Sequence, residues 1–335
     1  MTRTMKAIIS SPAGPVLGEV ARPVPGHTHV LAAVGAASLN RADLAMLTGG
    51  SHGPMGGLGQ PLGLEWAGRI LEVGEGVSGW HVGDRVMTTG GGAFAEYAVS
   101  DASRLVKIPD DLSFQQASTL PVALQTMHNA LCTAGELQPG QSVLIQGASS
   151  GVGLMGMQIA KVLGAGLVIG SSTSTGRRAQ LGAFGADLVV DTSDPGWVKQ
   201  VLDATGGRGV DLVIDQVSGA LANANLNATK VGGHIVNVGR LGGMKGEFDF
   251  DLHALRQITY IGVTFRTRTR LQVEEIIRDM KHDLAEPLAD GRLHLPIDRV
   301  YSLAETPPAL ERMKANQHFG KLVLDITDGY SAQAD

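Results

Sequence analysis

The sequence predicts an α/β protein in which a doubly wound parallel sheet is combined with a mostly β module. The sheet is indicated by a strand, a small-residue turn and an apolar helix over residues 142–164, and by strand-like runs that recur afterwards with helical stretches between them. The β module is indicated by the first 120 residues, where short strands alternate with turns rich in Gly, Pro and Asp.

Residues 142–164 read SVLIQGASSGVGLMGMQIAKVLG. The apolar run Ser142–Gln146 is typical of a buried parallel strand, and the turn after it leads straight into a helix. Backbone N–H groups of such a turn, together with the positive end of the helix, form a site for a pyrophosphate. The dinucleotide fingerprint G-x-G-x-x-G places small residues at three points, which are Ala148, Ser150 and Gly153 here. The match is inexact, so an ordinary strand-to-helix turn is the alternative.

The runs that follow favour the dinucleotide site. Further strands are predicted at residues 166–171, 185–190, 209–215 and 233–239, with helical stretches between them. Strands at this spacing imply βαβ units and a parallel sheet. The fingerprint therefore sits in the structural context that a dinucleotide site requires.

The end of the second strand of this sheet favours NADP(H) over NAD(H). An NAD site places an acidic residue there, about 20 residues after the fingerprint, to bind the ribose 2′-hydroxyl. Between Leu137 and Ala186 the chain has no acidic residue. It has hydroxyl side chains at 171–173, followed by Arg177 and Arg178. Hydroxyls and a guanidinium suit a 2′-phosphate. The alternative, above all for Arg178, is that these arginines are solvated charges of a helix face.

Composition limits the possible partners and compartments. The chain has 335 residues, enough for two domains, a net charge of −5 and a pI of about 6.1. These values give no reason to expect a nucleic acid or an anionic membrane as partner. A single cysteine, Cys132, excludes a disulfide framework and a Cys-rich zinc lobe. Without a signal-like segment or an apolar run of about 18 residues, we expect a cytoplasmic enzyme with a small-molecule substrate.

Several motifs along the whole chain resemble those of the medium-chain dehydrogenase/reductase superfamily, in its zinc-independent NADPH:quinone oxidoreductase (zeta-crystallin-like) branch. The motifs are LNRADL (39–44), LGLEWAG (62–68), GDRV (83–86), GAFAEY (92–97), GASSGVG (147–153), GVTFRTR (262–268) and GKLV (320–323). The resemblance implies a GroES-like, mostly β catalytic domain from residues 1–123 and 266–335, around a Rossmann domain at 124–265. It also implies a homodimer paired through the outer strand of the Rossmann sheet, at 260–265.

The resemblance makes the metal question specific. Zinc-dependent relatives have a cysteine where this chain has Ala37 or Ser38, and Gly-His-Glu where it has Gly63-Leu64-Glu65. Since Leu64 offers no ligand atom, no metal is expected. Without a Lewis acid, alcohol dehydrogenation loses its mechanism. Hydride transfer to an acceptor with its own electron sink remains: a quinone, or a carbon–carbon double bond conjugated to a carbonyl.

The resemblance also implies roles for individual residues. Asn40, Asp43 and Thr126 would lie at the nicotinamide and substrate end of the cleft as the catalytic set. The cofactor would be bound by Ala148, Ser150, Gly151, Val152, Gly153, Gly170, Ser171, Ser172, Arg177, Val238, Gly239, Arg240, Thr264 and Phe265, with Lys321 reaching its phosphates.

Several of these roles have alternatives. Asn40 could instead form an Asx turn, and Glu65 could be the buried partner of an arginine. Arg266 and Arg268 could line the mouth of the cleft or be solvated. Many relatives have a tyrosine in the loop at 48–53, which here contains no aromatic residue, so that either the role of the ring is absent or His52 partly replaces it. The glycines of this loop suggest that it is mobile and open.

The function predicted from the sequence is an NADPH:quinone oxidoreductase. The same hydride geometry also suits an NADPH-dependent enone or alkenal double-bond reductase. The alternative from another class is an NADPH-binding, crystallin-like protein without catalysis.

Overall fold

A computed structural model describes residues 3–327. The strands are β1 (Thr4–Ile9), β2 (Val16–Ala21), β3 (His29–Ser38), β4 (Ser51–His52), β5 (Met55–Gly56), β6 (Glu65–Val73), β7 (Arg85–Thr89), β8 (Tyr97–Asp101), β9 (Val106–Lys107), β10 (Ser142–Ile145), β11 (Leu167–Ser171), β12 (Leu188–Val190), β13 (Val210–Asp215), β14 (Thr229–Asn237), β15 (Thr259–Gly262), β16 (Ile297–Ser302) and β17 (Lys321–Asp325).

The α-helices are α1 (Phe114–Ser118), α2 (Pro121–His128), α3 (Gly151–Val162), α4 (Thr175–Arg178), α5 (Trp197–Ala204), α6 (Ala222–Ala228), α7 (Phe250–Arg256), α8 (Arg270–Ala289) and α9 (Thr306–Lys314). Short 3-10 helices cover Arg41–Ala45, Ala102–Arg104, Leu181–Phe184, Gly219–Leu221 and Leu303–Glu305, and a π-helix covers Asn129–Ala134. Among the described residues, no helix is long and apolar enough to cross a membrane.

The chain divides into two compact units. One, called the β unit here, comprises the residues up to Val122, Phe265–Ala289 and the residues from His294 onward. The other, the α/β unit, comprises Ala123–Thr264 and Asp290–Leu293. The β unit is therefore discontinuous in sequence, and the α/β unit is almost a single stretch.

The β unit is built around a seven-stranded sheet. Its strand order is β16-β17-β3-β6-β7-β9, and β8 also pairs with β3. The central strand β3 is buried along nearly its whole length, and β17 pairs with it antiparallel, so that Leu324 lies opposite Ala37. Trp66 and Phe94 are fully buried in the core beside this sheet. The mostly β module expected from the sequence is thus confirmed.

The α/β unit contains six parallel strands in the order β12-β11-β10-β13-β14-β15. Apolar residues such as Leu144, Ile169 and Val213 fill its core, as expected for parallel strands buried on both faces. The order reverses between β10 and β13, and in such sheets ligands bind outside the carboxyl ends of the strands at the reversal. The doubly wound sheet is confirmed, and its reversal point coincides with the small-residue turn after β10.

The structure differs from the sequence predictions in several places. Strand β2 was not predicted, because its exposed, Gly-containing sequence has no clear alternation. The loop expected to be open at 48–53 contains β4, which forms a short hairpin with β5. The sequence also predicts a helix over residues 121–137, and the structure has α2 and the π-helix that follows it there. The last eight residues, for which the sequence suggests a frayed tail, lie outside the described residues.

Candidate active site

The turn between β10 and α3 has the geometry of an anion site. Ser150 is the N-cap of α3, and its Oγ accepts a hydrogen bond from the Gly153 N–H at 3.0 Å. In the first turn of a helix the N–H groups, here those of Gly151 and Val152, have no carbonyl partner within the helix. Together with the helix dipole, these donors favour a phosphate at this point.

Gly153 and Gly170 act through their small size. A Cβ on Gly153 would lie 2.7 Å from both Ala148 Cα and the Gly147 carbonyl oxygen. Gly170 is buried, and a Cβ there would lie 2.8 Å from Met157 Sδ and 3.2 Å from Ala148 Cβ. Ala148 itself is fully buried. These positions therefore allow close packing of helix, turn and strand, which makes Gly170 and Ala148 packing residues rather than direct ligands.

Two buried glutamines hold the turn in place, and the sequence analysis missed both. Gln146 Oε1 accepts from Ser171 Oγ at 2.5 Å, and the same hydroxyl accepts from the Gly147 N–H at 3.0 Å. Gln216 Nε2 donates to the Gln146 carbonyl at 3.0 Å, while its Oε1 accepts from Ser150 Oγ at 3.1 Å. Both glutamines directly follow a buried apolar strand, and a polar residue at such a position is the sequence pattern that could have indicated them.

These contacts correct the expectation for Ser171. Its side chain is 1% exposed, and its hydroxyl is bonded both as donor and as acceptor within the turn. It therefore positions the turn, and a direct contact with a cofactor phosphate is not supported. Ser172, one residue on, donates its hydroxyl to Ser149 Oγ at 3.0 Å.

The remaining predicted cofactor residues of the α/β unit follow the carboxyl ends of other strands. Val238, Gly239 and Arg240 come directly after β14, and Thr264 comes shortly after β15. A Cβ on Gly239 would lie 2.6 Å from the Gln216 carbonyl oxygen, so only glycine fits beside the segment after β13. Arg177 lies on α4, which follows β11. Thr126 lies on α2, and Phe265 begins a segment of the β unit.

Asp215, at the end of β13, is a further residue that sequence reasoning missed. It is fully buried, and its Oδ1 accepts from the backbone N–H groups of Val217 and Ser218 at 2.9 and 2.8 Å. Burial raises the pKa of this carboxyl. Its hydrogen bonds fix Ser218, whose φ of 59° lies in a region that only glycine adopts readily.

A buried polar cluster in the β unit brings together residues that are far apart in sequence. Glu65 Oε1 accepts from Lys321 Nζ at 2.7 Å, from Ser38 Oγ at 2.6 Å and from Asn40 Nδ2 at 2.8 Å. Glu65 Oε2 accepts from the Val122 N–H at 2.7 Å, and Lys321 Nζ also donates to Asn40 Oδ1 at 2.9 Å. Glu65 is fully buried and Lys321 is 4% exposed.

This cluster corrects the expected role of Lys321. Its ammonium is paired with a buried carboxylate inside the β unit, so it is not placed to bind a cofactor phosphate. Asn40 is similarly committed, since its amide oxygen and nitrogen both bond within the cluster. Glu65 has the buried cationic partner that the alternative interpretation foresaw, although the cation is a lysine instead of an arginine.

Asp43 is buried beside this cluster. Its Oδ2 accepts from the Asn40 N–H at 2.6 Å, its own N–H donates to the Asn40 carbonyl at 2.9 Å, and its side chain has no exposed surface. Burial raises the pKa of Asp43 to about 7, despite the opposing effects of the Asn40 hydrogen bond and the charge of Lys321. A carboxyl without exposed surface cannot contact a substrate directly, so a catalytic role for Asp43 is not supported.

This pKa predicts how stability depends on pH. Because the folded state holds the Asp43 proton up to about pH 7 and the unfolded state releases it near pH 4, the contribution of this site to stability is full below pH 4 and is lost as pH rises through 7. Between pH 5 and pH 8 the loss should amount to roughly 3 kcal/mol, because part of it has already occurred at pH 5. In Asp43→Asn, which cannot ionise, it should be absent. Urea unfolding of both proteins at pH 5 and pH 8 tests this, and parallel pH profiles would contradict it.

The positions that bind zinc in zinc-dependent relatives do not fit a metal here. Leu64 is buried in the core and has no ligand atom, and Ser38 donates its hydroxyl to Glu65. The Glu65 carboxylate is bound by the ammonium of Lys321. Zinc needs Cys, His or carboxylate ligands that are open to it, so the donor set is incompatible with a catalytic zinc.

His52 lies on the β4–β5 hairpin. Burial, with the charge of Arg266 as a smaller cause, lowers the pKa of this imidazole. A Cβ on the next residue, Gly53, would lie 2.8 Å from the Arg266 carbonyl oxygen and 2.9 Å from its Cα. The hairpin therefore packs closely on the segment at 265–268, and His52 is neutral at pH 7.

Comparison with known proteins agrees with this geometry. Residues 26–110 match the alcohol dehydrogenase GroES-like domain family, and residues 151–281 match the zinc-binding dehydrogenase family. An alcohol dehydrogenase superfamily protein from Novosphingobium aromaticivorans is 30% identical, with a TM-score of 0.85 over 96% of this chain and 99% of that chain. The chain belongs to the zinc-independent medium-chain dehydrogenase/reductases. The predicted family and its GroES-like and Rossmann folds are confirmed.

Two further relatives are named for different activities. A quinone oxidoreductase from Pseudomonas syringae is 28% identical, with a TM-score of 0.82 over 97% of this chain and 100% of that chain. A phenolphthiocerol/phthiocerol polyketide synthase from Mycobacterium tuberculosis is 30% identical over 317 residues, which is 94% of this chain and 14% of that protein. The chain thus spans about a seventh of the length of this curated relative. Members of this family are oxidoreductases that bind a nicotinamide cofactor.

Proposed function

We propose that the protein is an NADPH-dependent, zinc-free oxidoreductase that transfers a hydride to a quinone. The observation that carries this proposal is the set of residues at the positions where zinc-dependent relatives bind their metal: Leu64 offers no ligand atom, and the neighbouring Glu65 is paired with the buried ammonium of Lys321. Because no Lewis acid fits there, the acceptor must itself accommodate the negative charge that a hydride brings. A quinone does so on its oxygen, and solvent can supply the proton.

The cofactor supplies the hydride, and the chain binds and orients it. The first turn of α3 offers backbone donors to the pyrophosphate, and the two buried glutamines keep that turn rigid. The small residue at Gly239 allows the segments after β13 and β14 to lie close together. Since Asp43 has no exposed surface, the chain would act by positioning the cofactor and the acceptor more than by acid–base chemistry. Positioning alone gives large effective molarities.

Two alternatives stay open in the proposal. The first is an enone or alkenal double-bond reductase, which would use the same hydride geometry. The 30% identity with a polyketide synthase supports this alternative. A crystallin-like protein would bind NADPH without turnover. NADPH oxidation with 1,2- and 1,4-quinones and with 2-alkenals separates the three. Turnover of alkenals alone would overturn the quinone assignment, and tight NADPH binding without any turnover would overturn the enzyme.

The same acceptors test Asp43 kinetically. With a quinone, Asp43→Asn should change kcat by no more than about tenfold, because a buried carboxyl cannot deliver a proton to the substrate. A thousandfold loss with intact NADPH binding would make Asp43 an acid–base residue and favour the enone reductase.

NADPH preference is proposed from the strand end of β11. The chain has no acidic residue between Leu137 and Ala186. Arg177 lies on α4, the helix that follows the end of β11. A charge-assisted contact contributes about 1.5–3 kcal/mol. Arg177→Ala should therefore reduce kcat/KM for NADPH about ten- to a hundredfold and hardly change that for NADH. Equal losses for both cofactors, or a preference of the unmodified protein for NADH, would contradict the assignment.

We also propose a homodimer that pairs through β15. This strand is the edge of the six-stranded sheet, and Tyr260 on it is partly exposed. Phe250 and Met244 nearby are 77% and 90% exposed, and a hollow of about 530 Å³ borders the edge. An unpaired edge with apolar neighbours is a template for a second strand. Light scattering should give twice the chain mass, and Ile261→Pro should give the monomer.

The cytoplasmic location stays a prediction.

A further inference from the structure

An acidic side chain lies at the end of the strand beside β11. Asp191 follows directly on β12, and the Ser172 N–H donates to the Val190 carbonyl at 3.1 Å, so Asp191 and Ser172 are neighbours across the two strands. The sequence pattern did not reveal this acid, because the fingerprint places the ribose-binding carboxylate on the second strand and Asp191 follows the third.

Arg178 binds this acid and the strand end together. One nitrogen, Nη1, donates to Asp191 Oδ2 at 2.8 Å and to the Ser172 carbonyl at 2.7 Å. The Asp191 carboxylate and the Ser172 carbonyl oxygen therefore lie close together, since both are within hydrogen-bond distance of the same guanidinium nitrogen. Hydrogen bonds from the Ser193 hydroxyl and N–H, with a smaller contribution from Arg178, hold the pKa of Asp191 below its usual range. Asp191 is thus ionised at neutral pH, and Arg178 is its cationic partner.

We propose that Arg178 is a specificity-determining residue for the cofactor, because it cancels the charge of Asp191 beside the strand end where the 2′-phosphate would bind. The inference rests on the proposed use of NADPH. Arg177 is the proposed direct phosphate ligand, whereas Arg178 acts through Asp191.

The physical reason is the opposite effect of a bare carboxylate on the two cofactors. A carboxylate near the ribose accepts hydrogen bonds from the 2′- and 3′-hydroxyls of NADH and repels the 2′-phosphate of NADPH. Asp191 is separated from Ser172 by only a few ångströms, less than the screening length of about 8 Å at physiological salt, so solvent ions do not remove this repulsion. The strand end therefore accepts a phosphate only while Arg178 is in place.

Four variants test the inference, with the dissociation constants of NADPH and NADH measured by fluorescence titration. Arg178→Ala should weaken NADPH binding about tenfold or more and leave NADH binding unchanged or improved. Asp191→Asn in that background should restore NADPH binding to within about threefold of the unmodified protein, since no charge is left to cancel. Arg178→Lys keeps the charge and should keep the preference. Lys199→Ala removes a cation of the same unit, from an exposed pair with Asp203, and should not change the ratio.

The outcomes separate this inference from the proposed function. Equal weakening of both cofactors by Arg178→Ala, without rescue by Asp191→Asn, would show a purely structural pair and overturn the inference. A protein that prefers NADPH and retains this preference in Arg178→Ala would overturn the inference alone. A preference of the unmodified protein for NADH would overturn both.

Discussion

Lys321→Met should destabilise the β unit by about 3–5 kcal/mol, because it leaves Glu65 as a buried carboxylate without its cationic partner. Neutralising both charges in Lys321→Met/Glu65→Gln should recover part of this loss, since the glutamine oxygen can still accept from Ser38 and Asn40, although its amide nitrogen then faces the Val122 N–H. Urea unfolding of the single and double variants measures the difference.

Lys314 provides the matched control. It lies on α9, and its side chain is 69% exposed in a loose pair with Glu311 at 3.8 Å. Lys314→Met should change the free energy of unfolding little, as expected for an exposed pair. If Lys321→Met were as mild as this control, or if the double variant were less stable than the single, the buried pair would not have the proposed energetic role.

Gly153→Ala should weaken the binding of NADPH and NADH alike, by about ten- to a hundredfold. The added Cβ meets backbone atoms of Gly147 and Ala148 at 2.7 Å, and backbone cannot move aside without displacing the turn. Overpacking of this kind costs about 1–3 kcal/mol, and 1.4 kcal/mol corresponds to a factor of ten in affinity. Both cofactors should respond equally, because the turn is the proposed binding site of the pyrophosphate that they share.

Gly182→Ala is the control for this substitution. A Cβ at Gly182 meets nothing within 4 Å, and the residue lies in a short helix of the same unit. Fluorescence titration of both cofactors should give unchanged dissociation constants. Unchanged binding in Gly153→Ala would refute the close-packing role of the third small residue, and a loss confined to NADPH would place the effect elsewhere than at the pyrophosphate.

The sequence predicted those parts of the fold and site that depend on local patterns. The strand, turn and helix over 142–164 were predictable because the buried apolar run, the Ser150 cap and the size restriction at Gly153 act within a few residues. The parallel arrangement of the strands followed from their spacing, with helical stretches between them.

The site residues that were mispredicted depend on contacts between distant segments. Lys321 and Glu65 are 256 residues apart, and no local pattern shows that their side chains meet. Ser171 looked like a ligand because it ends a strand, but its hydroxyl is used by Gln146 and Gly147. For Arg178 the sequence left open whether it is a solvated charge or part of the phosphate site, because only the pairing of β11 with β12 brings it to Asp191.

The position of β17 has a consequence for how the protein is made. This strand lies between β16 and β3, yet it comes at the end of the described chain, while the six strands of the α/β unit are complete at Gly262. As the chain leaves the ribosome, the α/β unit can fold first. Until residues 321–325 emerge, β3 has an unpaired edge at Ala36–Ser38 and Glu65 lacks its ammonium partner. An unpaired strand edge is a site of aggregation, so we expect the β unit to need protection by chaperones at this nascent stage.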